Sequence, residues 1–132
     1  MIYFNEARVF GNFAQFFCEF CFCIRDEFFR TRQRYNNPGC LRYSEWQRPY
    51  GGVPGVNSFA KFPVYSAGKE AQLRLLRSAM SGKMPAYNAN GTIRQFIYQY
   101  ANSSPEKEKA NYVMRVCGAL GIPSTTILKT LL

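Results

Sequence analysis

Tyr35-Asn36-Asn37-Pro38-Gly39-Cys40-Leu41-Arg42 divides this 132-residue chain into two kinds of sequence. The residue before a proline avoids helical geometry, and glycine interrupts a helix. A helix arriving from the N-terminal side therefore ends before Asn36-Asn37-Pro38-Gly39. On that side lies a long apolar pattern. On the other lie turn-rich sequence and then shorter helical patterns.

Residues 4–33 read as one long helix. Phe10, Phe13, Phe17, Phe20, Ile24 and Phe28 recur at three- and four-residue spacing, which makes an apolar stripe. Phe16, Phe22 and Phe29 widen it beyond one core contact. The segment is either a central core helix or an anchor in a membrane surface or a neighbouring subunit. Its most apolar part, residues 9–24, contains Asn12, Gln15 and Glu19. It falls short of the ~20 apolar residues of a spanning helix. No basic segment precedes it and no small-residue cleavage site follows, so a cleavable signal peptide is not expected.

Beyond the dividing stretch, residues 36–63 read as loop and short strand, punctuated by Pro49, Gly51, Gly52, Pro54 and Gly55. Phe59-Ala60-Lys61-Phe62 alternates as a short strand does, which suggests a hairpin or flap. A helix over 66–81 follows, capped by Ser66, with Ala71, Leu75, Leu76 and Ala79 inward and Lys69, Arg74 and Arg77 elsewhere on its surface. Thr92-Ile93-Arg94-Gln95 has capping-box spacing and opens a third helix, with Ile93, Phe96, Ile97 and Tyr100 on its buried side. Ser104-Pro105 opens a fourth with proline in its first turn, and Glu106 and Glu108 suit the dipole there. Its apolar face is Tyr112, Val113, Val116, Cys117 and Leu120. Gly121-Ile122-Pro123 stops it, and Ser124 caps a last short helix over 125–132. The expected fold is mainly α (α+β). It is a single domain over 1–132, with a Phe-rich helix in 1–34 and a basic region in 35–132.

The net charge is +9. Residues 28–132 hold 15 basic and 4 acidic groups, a balance of +11, while residues 1–27 balance at −2. Such a field favours an anionic partner: nucleic acid, lipid head groups or acidic wall polymers. Five cysteines, an odd number, include Cys18, Cys21 and Cys23 in one apolar pattern. Buried thiols account for them better than a zinc site, for which Cys40 would be the fourth ligand. The chain has no histidine, which excludes Ser–His and Cys–His catalysis. It has no Walker loop or dinucleotide fingerprint, and no cofactor or metal is expected.

Carboxylate chemistry has few candidates. Glu45 stands beside Trp46, whose ring could favour a protonated general acid, and Glu27 lies near the end of the first helix. A solvated surface is the plainer reading for both, and an ion pair is for Glu70. Arg30, Arg32, Arg34, Tyr35, Arg42, Tyr43, Trp46 and Arg48 interleave cations with aromatics. That pattern suits phosphates and bases, and equally sugar rings.

The run Asn36-Asn37-Pro38-Gly39-Cys40-Leu41-Arg42 resembles the Asn-Asn-Pro-Gly-Asn-Ile/Leu-Arg signature of a family of small bacteriophage virion structural proteins. Trp46-Gln47, Phe59-Ala60-Lys61-Phe62, Ala67-Gly68, Leu73-Arg74-Leu75-Leu76, Thr92-Ile93-Arg94 and Tyr112 follow in similar order. The resemblance covers roughly residues 35–122. Cys40 stands where asparagine is usual, Arg48 replaces a glycine, and Ala101-Asn102-Ser103-Ser104 replaces a Trp-Ala-Pro-Pro element. Some members are described as lysozyme- or transglycosylase-like. The resemblance thus implies a virion protein that contacts or degrades host peptidoglycan, with a lysozyme-like fold. Lytic transglycosylases in general manage with one acid, here Glu45 or Glu27. Candidate substrate contacts are Asn36, Asn37, Arg42, Tyr43, Trp46 and Tyr65. The alternatives are a non-catalytic minor capsid or membrane-associated virion protein, docked to other virion proteins through the Phe-rich helix, and a small nucleic-acid-binding protein.

Overall fold

The computed structural model describes residues 32–102 and 104–131. Nearly all of the expected helix over 4–33 lies outside them, as do Glu27, Cys18, Cys21 and Cys23. Residues 32–34 are helical. The described residues are mainly helical with one small antiparallel sheet, as the sequence predicts. They fall into two compact units, 32–74 and 75–131.

The first unit begins where its leading helix stops. Asn36 takes a left-handed conformation, φ 51°. The Asn37 N–H reaches back to the Arg32 carbonyl at 3.3 Å, which satisfies a carbonyl at the helix end. Asparagine tolerates this conformation better than most residues. The stop therefore comes from Asn36 as well as from Pro38. Pro38 and Gly39 then form a turn closed by Cys40 N–H to the Asn37 carbonyl, 3.1 Å.

Leu41 and Tyr43 run antiparallel to the segment Ser58–Phe62. Ala60 N–H donates to the Leu41 carbonyl (2.9 Å) and Tyr43 N–H to that of Ser58 (2.8 Å). On the other side of that segment, strand β1 (Val53–Pro54) pairs with β2 (Ala60–Lys61), in register Val53 with Lys61. Between Tyr43 and β1 stands a 3₁₀ turn, Glu45–Tyr50, ended by Gly51 at φ 78°. The expected flap over 36–63 thus exists, with a helical turn inside it that the sequence reading did not contain.

Helix α1 spans Tyr65–Met80; its residues to Arg74 belong to the first unit and those from Leu75 to the second. It starts one residue earlier than expected, so Ser66 lies inside the first turn and is not the cap. Gly68 is buried because the Asn36 carbonyl packs directly on it, where any Cβ would collide. Gly39 faces Gln72 one turn later, and a Cβ there would meet the Gln72 side chain at 2.9 Å. The loop 36–39 thus lies along α1 with backbone close to backbone, an approach that glycine permits.

The second unit follows ordinary helical logic. Ile93–Tyr100 forms α2. Thr92 Oγ1 accepts from Gln95 N–H (3.2 Å), and Gln95 Oε1 accepts from Thr92 N–H (2.9 Å), which closes the expected capping box. Glu106–Leu120 forms α3. Pro105 is its N-cap and not a first-turn residue, which corrects the expected start by one position. Gly121 ends α3 at φ 68°, as expected. The helix expected over 125–132 is smaller. Ile127 bridges to Thr92, and only Leu128–Leu131 turns, as 3₁₀. Leu76, Ala79, Met80, Ile93, Phe96, Ile97, Val113, Val116 and Leu128 are buried. Burying each such larger side chain contributes about 1.5–3 kcal/mol.

Candidate functional site: an arginine–aromatic surface

The 3₁₀ turn positions the site. Gln47 anchors it from inside, almost fully buried. Its Nε2 donates to the Arg42 carbonyl (2.8 Å) and its Oε1 accepts from Ser44 N–H (3.2 Å). With Gln47 held inward, Trp46 and Tyr50 are presented half-exposed, four residues apart. Their rings meet edge to face, centroids 6.4 Å apart at 81°.

Arg74 of α1 completes the cluster. Its guanidinium carbon lies 5.4 Å from the Trp46 ring centroid and 5.8 Å from that of Tyr50. Its Nη1 also donates to the Trp46 carbonyl at 3.4 Å. Two rings and one cation thus share a solvent-facing surface, and each such cation–π contact is worth about 0.5–1 kcal/mol when exposed. Arg48 and Arg42 are exposed on the same unit. The described residues 32–74 contain seven basic groups and two acidic ones.

The other expected residues divide by placement. Asn37 is fully buried. Its Nδ2 donates to the carbonyls of Leu41 (3.0 Å) and Ala60 (2.9 Å), and its Oδ1 accepts from Leu41 N–H (2.9 Å). Its polar atoms are spent inside the protein, so it serves the fold and is not a surface contact. Asn36 Nδ2 donates to the Phe62 carbonyl at 3.1 Å. Arg42 lies 4.2 Å over the Phe59 ring and donates to the Asn57 carbonyl. Tyr65, at the start of α1, is exposed.

Glu45 is exposed, and so is its partner Arg48: both side chains are 72% accessible, with Nε and Oε2 3.0 Å apart. Tyr43 Oη donates to Glu45 Oε1 at 3.3 Å. The carboxylate therefore stands in solvent beside a cation, and not in apolar surroundings. The other acid candidate, Glu27, lies outside the described residues.

Arg74 and Tyr50 are the members that the sequence reading did not assign to a site. Tyr50 carried a local signal, its four-residue spacing from Trp46. Arg74 carried none, because the fold brings it to Trp46 from 28 positions away.

The second unit has its own concavity. A groove of about 580 Å³ runs beside α3, lined by Arg94, Val113, Met114, Cys117, Ile122 and Ser124 among others. Cys117 lies buried in its lining, and burial pushes the thiol up from its ordinary value. Nearby, Tyr98 Oη donates to Glu106 at 2.7 Å, and Arg94 lies 4.6 Å over the Tyr98 ring. The hydrogen bond to Glu106 raises the Tyr98 phenol first, and desolvation adds to it. Among the described residues, no cluster of cysteine and carboxylate side chains could hold a metal ion, and no helix is long and apolar enough to cross a membrane.

Comparison of the chain with protein-family models, with curated proteins and with solved structures finds no match.

Proposed function

We propose that this protein is a virion-associated structural protein that contacts host peptidoglycan, and that the Trp46–Tyr50–Arg74 surface makes the contact. The observation that carries the reading is Arg74 standing over two adjacent rings on a unit with seven basic and two acidic groups. Flat rings pack against sugar faces, and a guanidinium beside them pairs with carboxylates of an anionic polymer. The virion setting is supported by the resemblance over residues 35–122. Contact is favoured over cleavage, because Glu45 stands in solvent against Arg48.

Co-sedimentation with purified cell-wall sacculi tests this. Wild-type protein pellets with the wall, and Trp46→Ala and Arg74→Ala each weaken binding about tenfold, the loss of roughly 1.4 kcal/mol. Glu45→Gln leaves binding unchanged, and no protein clears the wall on a zymogram. Absence of wall binding by the wild type contradicts the reading. Salt-steep binding to nucleic acid in its place would favour a genome-facing role. Clearing abolished by Glu45→Gln would restore the transglycosylase reading.

A further inference from the structure

Five large apolar side chains stand exposed among the described residues: Val53 (50%), Val56 (64%), Val64 (53%), Tyr65 (48%) and Met114 (67%). Scattered singly they would need no explanation. Four of the five fall within residues 53–65, the flap and its entry into α1. Val53 is the register partner of Lys61, and both are exposed, so an apolar and a cationic side chain share one face of the small sheet. The tip is held in shape. Tyr35 Oη accepts from Val56 N–H at 3.4 Å, Phe59 N–H donates to the Val56 carbonyl at 3.2 Å, and Asn57 and Ser58 are both left-handed.

An added peptide strand does not suit this edge, because Pro54 in β1 has no N–H to donate. The charge chooses the partner. Lys61, Lys69 and Arg34 are exposed on this unit, Arg48 and Glu45 pair with each other, and the other acidic group is Glu70. Exposed aliphatic side chains with an aromatic and flanking cations match the chemistry of an anionic bilayer surface.

We propose that the flap over residues 53–65 is a peripheral docking surface for an anionic lipid bilayer, with Val53, Val56, Val64 and Tyr65 entering the headgroup region and Lys61 meeting lipid phosphates. The proposal uses different residues from the wall contact and does not rest on it.

Vesicle co-sedimentation of the full chain tests it, using phosphatidylcholine vesicles with and without phosphatidylglycerol. Wild type binds the anionic vesicles, less so as salt rises, and not the zwitterionic ones. The double variant Val56→Asp/Val64→Asp lowers partitioning by about tenfold or more, and Lys61→Glu by about tenfold. Met114→Asp, on the other unit, leaves it unchanged. All these positions are exposed, and unchanged emission from Trp46 confirms that the variants fold. The proposal is overturned if wild type does not bind, if it binds both vesicles equally, if the flap variants bind like wild type, or if Met114→Asp costs as much as they do.

Discussion

Residues 32–74 and residues 75–131 fill their interiors with different chemistry. The buried polar side chains among the described residues are Asn37, Gln47 and Gln72, all in the first unit. The non-glycine residues with left-handed backbone, Asn36, Cys40, Asn57 and Ser58, are there too. The second unit keeps that conformation for Gly82 and Gly121, and its buried side chains are aliphatic, aromatic or sulfur-bearing apart from the Tyr112 hydroxyl. One unit is a set of loops clamped by side chain-to-backbone hydrogen bonds. The other is a set of helices packed by apolar faces. The lesson is that the loop-built unit depends on a few positions that periodicity does not reveal, and it is the unit that presents Trp46, Tyr50 and Arg74.

The largest expected effect is at Gly68. In an open helix, Gly→Ala gains about 1 kcal/mol. Here the new methyl meets the Asn36 carbonyl, and that loop is itself pinned. Gly68→Ala should cost about 3 kcal/mol or more and lower the denaturant midpoint followed by Trp46 fluorescence. A neutral outcome would break the claim that backbone approach builds this unit.

Asn37→Ala comes next. It strands Leu41 N–H and takes a donor from the Ala60 carbonyl, while the Leu41 carbonyl keeps Ala60 N–H, which should cost about 2–3 kcal/mol. Calorimetry of the variant measures the loss. Asn37→Asp should be no better, since a carboxylate accepts from Leu41 N–H but donates to neither carbonyl.

The second unit has a smaller, pH-dependent term. Burial pushes the Tyr87 phenol from 10.0 up to about 12, and its ring packs 4.9 Å from that of Phe96. The folded state therefore holds the proton where the unfolded chain releases it. This contribution is complete below pH 10 and is lost as the pH rises from 10 toward about 12. The stability of wild type relative to Tyr87→Phe should fall by about 2 kcal/mol over that range, measured by denaturation at successive alkaline pH values. A constant difference would contradict the burial.

The same contrast explains what could be read in advance. Ile93, Phe96 and Ile97 lie on one helical face and are buried, and the Thr92–Gln95 box closes as its spacing implies. Such signals are local, and local signals survive in sequence. Near Ser66 and Pro105 the helices are legible, but their first residues shift by one because caps and first-turn positions accept similar residue types. The clamp at Asn37 reaches Ala60 across 23 residues, and Arg74 reaches Trp46 across 28. No periodicity encodes such pairs. The dividing run Asn36-Asn37-Pro38-Gly39 was visible as punctuation. Its physical work, a left-handed stop, a buried clamp and a close approach to α1, became visible once the chain had folded back on itself.

The smallest effect completes the comparison. A Cβ on Gly118, at an exposed position of α3, meets nothing within 4 Å, so Gly118→Ala should stabilise by about 1 kcal/mol. The most direct test of the account is the same substitution made in both units, Gly68→Ala and Gly118→Ala, with urea midpoints measured side by side. Opposite shifts are expected, a large fall for Gly68→Ala and a small rise for Gly118→Ala. Shifts of the same sign in both variants would contradict it.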